Sequence, residues 1–251
     1  RLPAEQAGML AGFTEHYFKN VIDEDLDQGM LEDLYGSLLS QWNLALNYQP
    51  GTSKIKVYNP TIEEHGWQSR HTVIEIIVED MPFLLQSVTM EINRHGFANH
   101  LVIHPVFYVK RNASGDLEDI SGESMEGANI ESIIHVEIDR QSEFSVLHEL
   151  KQNLSSILTD VRAAVQDWKE CLHKMAVNIQ RLKAMEDESQ NDAIDFLQWL
   201  HDNHFVFLGY REYRVVKDNG QTGFKVVPGS GLGILRDTIA QLPENDVFPV
   251  S

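Results

Sequence analysis

The 251 residues include eleven histidines, one cysteine and 38 carboxylates against 20 lysines and arginines, so imidazole, thiol and paired acids are the chemistries to weigh. His100 and His104 stand four apart, a spacing that suits a metal on one helix face, but their segment is strand-like. In a strand that spacing keeps both on one side yet far apart. His201 and His204 straddle a helix end and lack the glutamate of a His-Glu-x-x-His zinc helix. His65, His71 and His95 are scattered, and capping, core or surface roles are the simpler reading. Cys171 lies in a helical stretch beside Leu172 and reads as a small packed side chain. No Gly-x-Ser-x-Gly elbow offers a nucleophile. Glu131 and Glu137 flank Ile133 to Val136; alternation puts them on one face, well separated, as on a solvated sheet edge.

Gly229-Ser230-Gly231-Leu232-Gly233 raises the question of a phosphate-cradling loop. A dinucleotide fingerprint needs Gly-x-Gly-x-x-Gly opening a helix after a strand. Position 234 is Ile, and turn-forming and β-branched residues surround it, so a tight turn is the better reading. The stronger candidate is Asp80-Met81-Pro82-Phe83-Leu84, between a strand and a helix. A helix start exposes unpaired N–H groups that can hold an amino-acid carboxylate. Asp80 suits an N-cap and Pro82 a first turn. The competing reading is that the Asp80 side chain occupies those donors and repels an anion. These five residues are the expected effector site; no catalytic, cofactor or metal residue is assigned.

The elements that position them follow from periodicity. Pro3 to Leu46 reads as helices, with Phe13, Tyr17 and Phe18 at helical spacing and Asp23, Glu24 and Asp25 suited to a helix first turn. Lys54 to Tyr58 alternates as a strand, and Thr72 to Val78 is β-branched enough for a central one. A helix striped by Phe83, Leu84, Val88 and Ile92 should close at Gly96. Leu101 to Val109 is a strand bent at Pro105, 112–129 an exposed hairpin or loop, and Ile133 to Ile138 a third strand. Together these predict a small α+β unit with helices over one sheet face. Apolar residues from Leu147 to Leu182, Trp168 among them, recur at three- and four-residue steps and predict a helix roughly 50 to 60 Å long at about 1.5 Å per residue, with a coiled-coil or hairpin seam. A polar hinge at Asp187 to Asp192, a short helix at Ala193 to His201 and strands paired around Asp218-Asn219-Gly220 complete the chain.

The net charge of -18 and pI near 4.9 argue against nucleic acid and anionic membranes as partners, since phosphates call for clustered lysine and arginine. With one cysteine no internal disulfide can form, the apolar runs are too short to span a bilayer, and no signal pattern opens the chain, so a cytoplasmic setting is expected. The ends at Arg1 and Ser251 read as those of a piece of a longer chain.

The text Glu79-Asp80-Met81-Pro82-Phe83-Leu84-Leu85 resembles the first turn of an ACT domain, where an acidic residue precedes Pro-Gly-Leu-Leu. More widely, Tyr58-Asn59-Pro60, His65-Gly66-Trp67, Ile103-His104-Pro105 and Glu131 to Glu137 resemble the amino-terminal region of the large bacterial NAD-specific glutamate dehydrogenases. So do Asp160 to Val165, Asp167-Trp168, Phe205 to Tyr213 and Gly231 to Leu235, in order from about Tyr17 onward. The resemblance implies an ACT-like, ferredoxin-like βαββαβ domain over 51–142, preceded by a helical segment over 1–50. A long linking helix over 143–188 and the start of a second, truncated ACT-like unit over 189–251 follow. It implies a parent that oxidatively deaminates L-glutamate with NAD, whose catalytic domain lies further along and sends no catalytic residue here. The stretch is then a non-catalytic regulatory and assembly region, partnered by copies of itself and by the downstream catalytic domain. An amino-acid effector module and, third, an independent metal-dependent enzyme are the alternatives. Two departures stand out: Phe83 replaces the usual glycine, with a ring that would fill the space where a ligand carboxylate meets the backbone, and Gln86 stands where Asp is expected.

Overall fold

Helices α1 (Ala4–Tyr17) and α2 (Leu31–Ala45) precede β1 (Ser53–Tyr58), the single-turn helix α3 (Ile62–His65), β2 (Thr72–Glu79) and α4 (Leu84–Arg94). Then come β3 (Asn99–Ile103), β4 (Val106–Arg111), β5 (Leu117–Ser121), β6 (Asn129–Ile138) and the 40-residue α5 (Phe144–Lys183). The computed structural model describes residues 4–21, 31–218, 221–236 and 247–249, so the Asp23 to Asp25 expectation and the turn residues Asn219 and Gly220 lie outside the described residues. The chain divides into two compact units, Arg1–Leu158 and Thr159–Ser251.

In the first unit the sheet runs β1-β2-β6-β4-β5, with β3 also on β6. All its pairings are antiparallel. β3 and β4 follow one edge of β6 (Ile103 opposite His135, Val106 opposite Ser132) as a single strand interrupted at His104-Pro105. Proline lacks the N–H a ladder needs, and the Pro105 carbonyl still accepts from Ile133 N at 3.1 Å. β2 and β6 are therefore interior strands. One expectation is corrected, since Glu131 and Glu137 stand on a central strand rather than a solvated edge, while the stretch 112–129, read as a hairpin or loop, contains β5, which forms a hairpin with β4.

Both sheet faces are covered, where helices over one face were expected. One face carries α1 and α2: Phe13 stacks on Phe107 with centroids 4.9 Å apart and meets Trp42 edge-on at 5.3 Å, in a core that includes Tyr17, Leu38, Ile77 and Ile133. Alternation turns Ile74, Ile76, Val78, Ile134 and Val136 to the opposite face. They are fully buried there, as are Leu84, Val88 and Ile92 of α4 and Leu150 and Leu154 of α5, which supply the cover. Buried on both sides, β2 is nearly continuous apolar text.

In the second unit, α5 is followed by a 3₁₀ turn (Glu188–Gln190), α6 (Asn191–Trp199) and a π turn (Leu200–His204). β8 (Tyr213–Asp218) pairs with β9 (Gln221–Val226), which pairs with β11 (Val247–Pro249); β7 (Gly209–Tyr210) pairs with β10 (Leu232–Gly233). Asp167 accepts from Gly233 N at 2.7 Å and from Arg236 Nε at 2.6 Å. Gly233 has φ 59°, and a Cβ there would meet Leu208 O at 2.1 Å, so the glycine-rich run is a close-packed turn beneath Asp167. Trp168, expected on the helix seam, is instead 45% exposed.

Candidate functional site

Two places in the first unit concentrate polar chemistry. The first is the Asp80 to Leu84 loop. Helix α4 starts at Leu84, with Phe83 at its N-cap in the left-handed conformation (φ 71°) and no side-chain capping bond. The expectation that Asp80 caps this helix is therefore corrected: its Oδ1 accepts from Ser132 Oγ at 2.6 Å. His104 Nε2 lies 3.0 Å from the same hydroxyl. The order carboxylate, hydroxyl, imidazole differs from a nucleophilic triad, in which imidazole stands between the other two. Ser132 is buried, so the three groups fasten the loop to β6 and the β3–β4 break. Phe83 adopts the φ a glycine would take, its ring half exposed. Met81 is half-buried, Pro82 exposed and Leu84 in the core.

The second place, which the sequence reading did not single out, is a cavity of about 710 Å³ bounded by α2, the 60–71 segment and the ends of β3 and β6. Its walls are built by the Asn-Pro and His-Gly-Trp motifs. Thr61 caps α3, and Gly66 ends it at φ 76°. Trp67 is then driven into the core beside Tyr58. A Cβ on Gly36 would lie 2.1 Å from Trp67 Cβ, so α2 can approach this close only with glycine there. Asn59, Thr72 and Gln141 are bonded together: Thr72 Oγ1 donates to Asn59 Oδ1 at 2.7 Å and accepts from Gln141 N at 2.8 Å.

At the cavity wall, Glu137 Oε2 accepts from Ser69 Oγ at 2.9 Å and lies 2.7 Å from His71 Nδ1. An ionised carboxylate only accepts, so the proton sits on that nitrogen. Glu137 Oε1 is 3.6 Å from His135 Nε2, an ion-pair distance rather than a hydrogen bond. Burial raises the Glu137 carboxyl, but His135, His71 and Ser69 outweigh it and hold the group at about 2. His100 stacks on His71, rings 4.1 Å apart at 5°, and bonds Asp139 at 2.8 Å. A metal about 2.0–2.1 Å from a nitrogen of each ring would have to lie near both ring planes. Parallel stacked rings offer no such point. Among the described residues no group of three or more His, Cys, Asp or Glu is placed to hold a metal.

Behind this wall a polar row crosses the sheet beneath α2. Lys56, Glu75 and His135 are register partners on β1, β2 and β6. Glu75 accepts from Ser40 Oγ at 3.0 Å and Tyr58 Oη at 3.1 Å. Burial first, and then the Glu75 charge, push the Tyr58 phenol well above its ordinary range. A single Glu inside an apolar strand was the one visible trace of this row. Of the other histidines, His65 accepts from Thr61 N, His95 contacts Glu91, His204 lies on Trp199 and His16 Nε2 lies 2.9 Å from Val106 O. Cys171 is buried, and burial with nearby Asp167 and Glu170 raises its thiol.

Residues 13–154 match the family model described as the glutamate dehydrogenase ACT1 domain. Over 243 residues the chain is 37% identical to the NAD-specific glutamate dehydrogenase of Halomonas elongata, an alignment covering 94% of this chain and 15% of that protein. The enzyme of the same name from Pseudomonas aeruginosa is 34% identical over 242 residues, with the same coverage. That of Mycobacterium tuberculosis is 26% identical over 179 residues, covering 68% of this chain and 11% of the relative. The chain thus spans about 15% of the length of the first two relatives. No helix among the described residues is long and apolar enough to cross a membrane.

Proposed function

Because the chain belongs to the glutamate dehydrogenase ACT1-domain family, we propose that it is the amino-terminal, non-catalytic regulatory and assembly region of a cytoplasmic NAD-dependent glutamate dehydrogenase. The parent reaction would convert L-glutamate, NAD and water to 2-oxoglutarate, ammonia and NADH, with NAD bound elsewhere in that polypeptide. The observation that carries the non-catalytic reading is that the buried or half-buried carboxylates Glu75, Glu131 and Glu137 are each engaged by partners within the first unit. Glu131 pairs with Arg111, Glu75 with Tyr58 and Ser40, and Glu137 with His71 and Ser69. Catalysis needs an acid, base or nucleophile free to act on a substrate, and these three carboxylates are already engaged.

The ferredoxin-like reading rests on the strand–helix–strand crossover from β2 through α4 to β3 and β4, with β6 inserted between, a split βαβ arrangement. In this reading β1 fills the fourth-strand place beside β2 but arrives from the amino-terminal side. Residues 189–251 are read as the start of a second such unit. Assembly is tested by sedimentation velocity of the chain at micromolar concentrations. Self-association through sheet edges or α5 is expected, and a monomer throughout would overturn it.

A second reading places an amino-acid effector at Asp80, Met81, Pro82, Phe83 and Leu84. Its support is that α4 begins without a side-chain cap, leaving first-turn N–H groups for a carboxylate. Calorimetry against a panel of amino acids tests it; silence from the whole panel disposes of it.

A further inference from the structure

We infer that the cavity between α2, the 60–71 segment and the end of β6 binds a small organic or inorganic oxyanion, gripped by Arg70 and Arg140. Of the lining acids, Glu137 already takes Ser69 and His71, and Asp33 Oδ1 takes Gln68 N at 3.2 Å. Glu63 is the one lining carboxylate with no partner among the described residues. Arg140 uses only Nη1, donated to Ser69 O at 2.8 Å, and Arg70 has no hydrogen bond or ion pair among the described residues. A guanidinium carries five N–H donors and no acceptor, in a fork that fits carboxylate or phosphate. The two guanidiniums therefore keep most of their donors unspent.

Position supports the same ligand. The Ser69 carbonyl anchors Arg140, and the Ser69 hydroxyl is itself anchored on Glu137, so one arginine is held in place before any ligand arrives. Leu34, Ile62, Trp67 and Leu101 give the cavity an apolar wall for a carbon body. Its volume of about 710 Å³ falls in the range of roughly 300–1,000 Å³ of small-molecule sites. The lining sets Arg70 and Arg140 against Asp33, Glu63 and Glu137, so the two guanidiniums are the permanent cations of this cavity in a chain of net charge -18. This inference stands without the regulatory reading; only an effect of the ligand on a distant active site would rest on it.

The test is calorimetry of the 251-residue chain with succinate, inorganic phosphate and glycerol phosphate, which separates carboxylate from phosphate sources. Saturable binding of at least one is expected, in the range of about 10 μM to 1 mM. Arg140→Gln and Arg70→Gln should each weaken it about tenfold or more, since each removes a charge-assisted bond to the ligand. Arg214→Gln, an exposed arginine on β8, should leave it unchanged. Should either variant misfold, ring-proton NMR of His71 and His100 in the unaltered chain decides, and both should shift on titration. Silence of all three probes, binding that survives both substitutions, or unmoved histidine signals would each overturn the inference.

Discussion

Glu137 concentrates three partners on one carboxylate, and that makes it a residue through which acid should loosen the first unit. Its folded value of about 2 lies below the ordinary 4.5. A depressed carboxyl contributes stability that is fully present above the unfolded value and is lost as pH falls through the folded one. At about 1.4 kcal/mol per pKa unit, the contribution is on the order of 3 kcal/mol near neutrality. Urea unfolding of Glu137→Gln should therefore show a gap of that order from the unaltered chain at pH 7, narrowing from about pH 4.5 downward. A gap independent of pH would assign the loss to packing instead. Phe83 shows the other residue-scale lesson. Its bulk looks like an obstacle at a glycine position, yet the chain holds it at φ 71° with the ring half exposed. Left-handed backbone costs a non-glycine residue about 1–2 kcal/mol, so surrounding structure must over-determine it, and the Asp80–Ser132–His104 fastening is one such constraint.

At the scale of elements, Arg111 and Glu131 tie β4 to β6 with bonds of 2.7 and 2.8 Å, both side chains almost fully buried. Arg111 Nη1 also reaches the carbonyl of Ala45 at the end of α2, so one guanidinium joins the sheet to its covering helix. Removing one partner of a buried pair strands the other charge, a loss of roughly 3–5 kcal/mol. Glu131→Gln should lower stability by about that much, while the double change Arg111→Met with Glu131→Leu should lose clearly less. Denaturant midpoints decide, and equal losses would refute the pairing argument. Much of this architecture was legible from period and punctuation. β1, β2, the Pro105 interruption, α4 closing at Gly96 and the long helix follow from alternation, helical stripes and backbone constraints on proline and glycine. What stayed hidden was long-range pairing. Glu137 and His71 are 66 residues apart, and no local pattern states that β6 inserts between β2 and the β3–β4 strand. Once it does, carboxylates that looked solvated become central. The cavity was illegible for the same reason, since its walls come from four separated stretches. The Asp80 cap failed locally: a hydroxyl on β6 outcompeted the helix donors for the carboxylate.

For the whole molecule, charge and association pull against each other. Copies carrying -18 repel one another at long range, and that repulsion is screened beyond about 10 Å at 0.1 M salt. The proposed self-association should therefore tighten as salt rises; sedimentation in which salt dissolves the assemblies would point to ion-paired contacts instead. One further consequence comes from α5 and its lone thiol. Cys171 is 2% exposed in a 40-residue helix and is the only cysteine in the sequence. A maleimide added to the native chain can react only in moments when the packing over that stretch of helix opens, so its labelling rate is a built-in clock for local opening. The helix can thus be timed without introducing a label site, under whatever ligand or salt condition is of interest.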